Sequence, residues 1–185
     1  MTDVAFNLAD YFLYDRLEEG LGAKVALRFG AQTHRYAEVA SHSEKLAAHL
    51  LSAGVRREER VFIVLSDTPA FVWSIFATLQ IGAVVAMGNP RADNLAHLLR
   101  YTRATALVTV PTVVAQLGAA LEEVDPHVIV AHDAATGEDV LSPVAVDSAH
   151  PWTALADALR HGDDELAAGM PSRRVTRRDD PAIWL

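Results

Sequence analysis

Apolar positions recur at helical spacing through residues 7–20, where Leu8, Phe12, Leu13 and Leu17 fall in step and Gly20 and Gly22 close the segment. Residues 24–29 alternate, with Val25, Leu27 and Phe29 set against Ala26 and Arg28; after the turn Gly30-Ala31-Gln32, residues 33–36 read as the returning strand of a small edge hairpin. Residues 37–53 form an amphipathic helical pattern. Val39, Leu46, Leu50 and Leu51 share one face, Glu38, Ser41, Glu44 and Lys45 the other, and Gly54 stands at the stop. The β-branched run 61–65 reads as a strand covered on both faces. Asp67 or Thr68 can cap the next helix, which has Pro69 in its first turn, carries Phe71, Val72, Ile75, Phe76 and Leu79, and closes at Gly82.

The same alternation continues. Strands are expected at 83–87, 106–110 and 127–131, with helices at 92–102 and from Pro111 to about residue 124 between them. Strand and helix in strict turn imply right-handed crossovers, hence an α/β fold: a mostly parallel sheet with helices on both faces, plus the edge hairpin. Residues 132–180 look weakly structured and linker-like, apart from a helix expected at 152–160. Arg173, Arg174, Arg177 and Arg178 crowd there as a solvated linker or a docking patch. Residues 181–185, Pro-Ala-Ile-Trp-Leu, begin an apolar strand at the chain end. Two expectations follow: a larger domain interrupted part-way, or a short terminal strand completing this domain's own sheet.

Composition narrows the function. Of 185 residues 51 % are hydrophobic and 22 % charged, so the chain buries a core. The net charge of -8 argues against nucleic acid and anionic membrane surfaces as partners. There is no cysteine, which removes disulfides, thiolate metal sites and thiol nucleophiles. With neither a signal-like N-terminus nor a membrane-length apolar run, a cytoplasmic globular protein is expected, with homodimerisation left open.

Phosphate-binding fingerprints fail: Gly20-Leu21-Gly22 lacks the third glycine and precedes a strand. His42 and His49 read as a surface pair on one helix, and His127 and His132 as markers of strand ends, so no metal set is expected. Ser66 lacks the flanking glycines of a nucleophile elbow and reads as a loop or cap residue. The loop Met87-Gly88-Asn89-Pro90-Arg91 has more promise. It lies at the carboxyl end of a central strand, where ligands gather in open α/β sheets. Gly88 permits close backbone approach, Asn89-Pro90 fixes a turn, and Arg91 offers a guanidinium suited to phosphate; the alternative is an ordinary connection with a solvated arginine.

Several stretches carry a family likeness: Asn7-Leu8-Ala9-Asp10-Tyr11-Phe12-Leu13, Lys24-Val25-Ala26-Leu27-Arg28, Tyr36-Ala37-Glu38-Val39, Gly54-Val55-Arg56 with Arg60-Val61, Asp67-Thr68-Pro69-Ala70-Phe71, and Leu79-Gln80-Ile81-Gly82-Ala83-Val84. In that order and spacing the chain resembles the N-terminal part of the acyl-adenylate-forming ligases, above all the benzoate/aminobenzoate-type aryl-CoA ligases. The likeness covers residues 5 to about 130, and Asp180 to Leu185 again. The resemblance implies activation of benzoate, anthranilate or hydroxybenzoate with Mg-ATP, giving an acyl-adenylate and pyrophosphate, then capture by coenzyme A. It implies a CoA-binding role for Arg91, which follows Asn89-Pro90 as in 4-chlorobenzoate-type relatives, with backbone at Met87 and Gly88 beside the same nucleotide. The family's phosphate loop, adenine and ribose contacts and catalytic lysine come later than the stretches matched here. No catalytic, ATP or metal residue is therefore assigned, residues 1–185 are expected to be an incomplete large domain, and the partner expected is the remaining part of the ligase. The alternative is a non-catalytic binding or scaffold module that keeps the fold.

Overall fold

The computed structural model describes residues 5–171 and 173–184. Leu185, placed in the closing strand by the sequence pattern, lies outside the described residues. The chain opens with a π-helical turn, Asp10–Tyr14, that runs into α1 (Asp15–Glu18). The wider turn breaks the expected helical register: Leu13 and Tyr14 point inward, and Phe12 is 55 % exposed. An antiparallel hairpin follows, β1 (Val25–Phe29) and β2 (Gln32–Arg35), and then α2 (Tyr36–Ser52). Glu38 Oε2 accepts from the Arg35 amide at 2.6 Å and fixes the start of α2.

The main body alternates as the pattern predicts: β3 (Arg60–Ile63), α3 (Pro69–Gln80), β4 (Val84–Met87), α4 (Leu95–Thr102), β5 (Ala106–Thr109), α5 (Pro111–Leu117), α6 (Ala119–Val124) and β6 (His127–Val130). The linker-like expectation for 132–180 needs correction. It holds β7 (Trp152–Ala154), paired with β6, and α7 (Leu155–Ala167), packed on α2. The helix expected at 152–160 begins three residues later, because Trp152 to Ala154 are drawn into the sheet as an edge strand, and it runs on past Gly162. β8 (Ile183–Trp184) pairs with β4 in the same sheet.

Six strands form one parallel sheet in the order β7-β6-β5-β3-β4-β8. Steps from β3 to β4 and from β7 to β8 run one way across the sheet; those from β4 to β5 and from β5 to β6 run the other. Right-handed crossovers therefore put α3 and α7 on one face, joined by α2, and α4, α5 and α6 on the opposite face. The central strands are buried throughout, Val61, Phe62 and Ile63 against Ala106, Leu107 and Val108. In α3, of the bulky residues named from the sequence only Leu79 is buried. Trp73, Ser74, Ala77 and Thr78 are buried, while Phe71, Val72, Ile75 and Phe76 are half-buried. Small residues let α3 lie close to its neighbours, with Ser74 and Thr78 satisfying their hydroxyls on the helix carbonyls of Ala70 and Ser74 at 2.7 Å each. At the sheet's outer edge, Ile183 is 49 % and Trp184 40 % exposed, with the indole 5.5 Å from the Tyr101 ring.

Candidate functional site

The strand order locates the candidate site. At β3 the chain leaves for one face of the sheet, and at its neighbour β5 for the other, so a crevice opens beyond their carboxyl ends. Ser66 and Asp67 border it from β3, and Pro111 and Thr112 from β5; Ser66, Asp67 and Thr112 are exposed. Thr109 closes the floor, its hydroxyl donating to the Val64 carbonyl at 3.2 Å. Thr68 starts α3 without a side-chain capping bond, so the cap expected from the sequence is made by backbone geometry alone.

The loop after β4 lies one strand away at the same edge. Asn89 folds it: its Oδ1 accepts from the Arg91 amide at 2.9 Å, and its carbonyl accepts from the Ala92 amide at 2.9 Å. The Gln116 amide of α5 donates to the Ala92 carbonyl at 2.6 Å and pins the far end. Met87 remains in the ladder opposite Ile63 and packs half-buried on the core. Gly88 also serves packing. A β-carbon there would stand 2.9 Å from Phe62 Cζ and 3.0 Å from Leu95 Cδ2, so a side chain would have to push these groups aside. Its N–H is already given to the Ile63 carbonyl at 3.0 Å, leaving none for a ligand. Arg91 is exposed, and its guanidinium makes no ion pair among the described residues. A free guanidinium on a loop braced at both ends fits a phosphate group.

No group of three or more His, Asp or Glu among the described residues is arranged to hold a metal ion. The histidines correct the sequence reading. His42 is half-buried, stacked on Trp73 with ring centres 4.1 Å apart, and His49 is buried. The arginines of 173–178 are exposed, as expected of a solvated stretch, but the segment itself is anchored. Arg173 pairs with Asp10 at 3.2 Å and lies over the Tyr14 ring, and Thr176 bonds Phe6 through backbone and hydroxyl. The cleft of about 400 Å³ beside them joins the N-terminal segment to this strap at the amino edge of the sheet, far from the carboxyl-end loops. No helix of the described residues is long and apolar enough to cross a membrane.

Sequence reasoning named the loop after β4 and missed the crevice between β3 and β5. The signal for the crevice is strand order, which alternation of elements does not encode.

Comparison with known proteins accords with this architecture. The family model of AMP-binding enzymes matches residues 15–185. A 3-hydroxybenzoate/4-hydroxybenzoate CoA ligase of Thauera aromatica is 27 % identical over 191 aligned positions, covering 98 % of this chain and 32 % of the relative. The phosphinothricin tripeptide synthetase PhsC of Streptomyces viridochromogenes is 40 % identical over 76 residues, 40 % of this chain and 7 % of the relative. Among solved structures, a benzoate CoA ligase from Burkholderia xenovorans superposes with TM-score 0.70 at 24 % identity, covering 97 % of this chain and 32 % of that one. An anthranilate CoA ligase in complex with anthranoyl-AMP gives TM-score 0.71 at 18 % identity, covering 97 % of this chain and 31 % of that one. The chain thus spans about a third of these three CoA ligases, and it belongs to the AMP-binding enzyme family.

Proposed function

We propose that these residues are the N-terminal third of an ATP-dependent aryl-CoA ligase. The reaction joins an aryl carboxylic acid to coenzyme A by way of an acyl-adenylate, releasing pyrophosphate and then AMP. The observation that carries this reading is the alignment of 98 % of the chain with the Thauera hydroxybenzoate CoA ligase. The acid is benzoate, anthranilate or a hydroxybenzoate, and the partner is the remaining two thirds of the ligase.

The chemistry explains what such a third contributes. A carboxylate resists attack until its oxygen becomes part of a good leaving group, which ATP supplies as AMP. Positioning and charge stabilisation do the rest. This chain brings a rigid sheet, a crevice beyond β3 and β5, and the Arg91 guanidinium, which would meet a phosphate of the CoA nucleotide. Asn89 sets the direction of Arg91 through its bond to the Arg91 amide. ATP and Mg would be held by the remainder; no residue here is assigned to them.

The test is a pyrophosphate-release assay with ATP, Mg and each acid. Residues 1–185 are assayed alone, then fused in frame to the complementary two thirds of the Thauera ligase. The chain alone is expected to be silent and the fusion to release pyrophosphate and form aryl-CoA. Turnover by the chain alone overturns the division of parts. A fusion that melts cooperatively yet activates none of the acids overturns the substrate class.

A further inference from the structure

Three histidines from three elements meet where α7 lies across α2. His49 of α2 is only 6 % exposed. Its Nε2 is 2.9 Å from Nε2 of His127, the first residue of β6, and its Nδ1 is 3.2 Å from Nδ1 of His161 in α7. The ring centres are 5.0 and 5.1 Å apart. The helices that carry His49 and His161 also bury Leu46, Leu50 and Leu159 in the core.

Each nitrogen-to-nitrogen contact requires one N–H and one lone pair. A neutral imidazole carries one of each, so three neutral rings satisfy both contacts. One extra proton also fits. His161 is exposed and has Glu165 Oε1 at 3.6 Å from its Nε2, so it can be the imidazolium and still donate to His49. A second proton has no place. On His127 it sets two N–H groups face to face across 2.9 Å, and on His49 it does so across 3.2 Å.

We propose that His49, His127 and His161 form a proton-operated latch that holds α7 on α2 while the cluster carries at most one extra proton and releases it on uptake of a second. Other charged groups at the junction do not relieve the conflict. Lys45 of α2 is paired with Asp163 of α7 at 3.2 Å, Asp125 before β6 lies 4.0 Å from His150, and Glu165 faces His161. Arg160 is held by Asp157 on its own helix. Desolvation, followed by the neighbouring imidazoles, pushes His49 down to about 4, and burial followed by His161 pushes His127 below the ordinary value. Both groups therefore bind fewer protons folded than unfolded. The stability they give is present above about pH 6.5 and is lost as pH falls toward 4.

Release has a defined reach. Beyond α7 the chain passes into the strap at 173–180, whose Arg174 amide bonds the Gln80 carbonyl at 2.8 Å, and then into β8 beside β4. A free α7 loosens one anchor of that strap, whereas the hairpin and the α4 to α6 face are held by other contacts.

The test is hydrogen exchange read by mass spectrometry on the full chain from pH 7.5 to 4.5, corrected for the intrinsic pH dependence of exchange. Peptides of α7 are expected to lose protection at least tenfold more than those of α4 and β5. The His49 ring carbon resonances should titrate together with that loss, below the ordinary histidine range. His161→Gln replaces the outer ring with an amide whose oxygen can accept from a protonated His49, so it should keep α7 protected at pH 4.5. His49→Gln, which can accept from both neighbours, should do the same. Equal protection of wild-type α7 at both pH values overturns the latch. So does loss of protection in α7 at the same pH in the wild type and in His161→Gln.

Discussion

The Lys45 carbonyl oxygen stands 1.8 Å from where a β-carbon on Gly162 would have to be. No side-chain rotamer relieves this contact, because the obstacle is backbone. It fixes how closely α7 can cross α2, and the pair Lys45–Asp163 and the histidine contact are both built at that separation.

Gly162→Ala should therefore force α7 away from α2 and destabilise the chain by about 3 kcal/mol or more, at the upper end of overpacking effects. Urea denaturation is the measurement. The loss should exceed that of Gly169→Ala, where nothing lies within 4 Å of the added atom and only the positive φ opposes it.

Gly88→Ala tests whether that glycine serves packing. The new methyl would press on Phe62 and Leu95. Expected is a loss of about 1–3 kcal/mol in thermal or urea melts. Phe62→Leu removes the nearest ring atoms, so the double variant should be less destabilised than the sum of the two singles, a coupling of about 1 kcal/mol. Strict additivity would mean that the two sites are independent.

Much of the architecture was legible in the chain because it rests on local rules. Uninterrupted apolar runs at 61–65 and 106–110 are what doubly covered strands need, and Pro69 and Pro111 open helices where they stand. Tertiary effects were not legible. Trp152 to Ala154 run directly into a helix, yet they pair as a strand along the β6 edge. Phe71 and Phe76 were natural choices for a buried face, yet the close approach of α2 favours the small residues of α3. His42 and His49 share one helix; that one stacks on Trp73 and the other meets two histidines from distant sequence could not be seen without the fold. The loop at Arg91 was legible because Asn-Pro writes a turn, whereas the crevice at Ser66 and Thr112 depends on which strands become neighbours.

Arg91 separates recognition from folding. Its guanidinium is exposed and braces nothing, so Arg91→Ala should leave the melting temperature within about 1 °C, as expected of a surface change below about 0.5 kcal/mol. In the fused ligase the same change should raise the KM for CoA about tenfold, the order of a lost charged hydrogen bond, and leave pyrophosphate release unchanged. Equal losses in both half-reactions would take Arg91 out of the CoA site.

Thr176 tests the strap. Its hydroxyl donates to the Phe6 carbonyl at 2.6 Å while its methyl fills the space above Gly82. Thr176→Val keeps the methyl and removes the donor. The expected cost is about 1 kcal/mol, with faster exchange confined to the N-terminal segment and residues 173–180. An unchanged exchange pattern would show that the backbone bond between Phe6 and Thr176 suffices.

His42 gives a pH prediction independent of the three-histidine cluster. Its ring lies nearly parallel to the buried Trp73 indole, and its Nδ1 contacts the Glu38 carbonyl at 2.8 Å. Burial holds it below the ordinary histidine range, against the pull of that carbonyl. The unfolded chain takes up a proton near pH 6.5 that folded His42 resists, so wild-type stability falls as pH drops through that value. His42→Gln keeps a polar group near the carbonyl but cannot be protonated. At pH 7.5 it should be less stable than the wild type by about 1 kcal/mol, having lost the stacked ring. At pH 5.5 the gap should narrow, because only the wild type carries the protonation penalty at this position. Urea melts of both chains at the two pH values decide it: a gap that is constant or widens on acidification means that folded His42 accepts its proton as readily as the unfolded chain does.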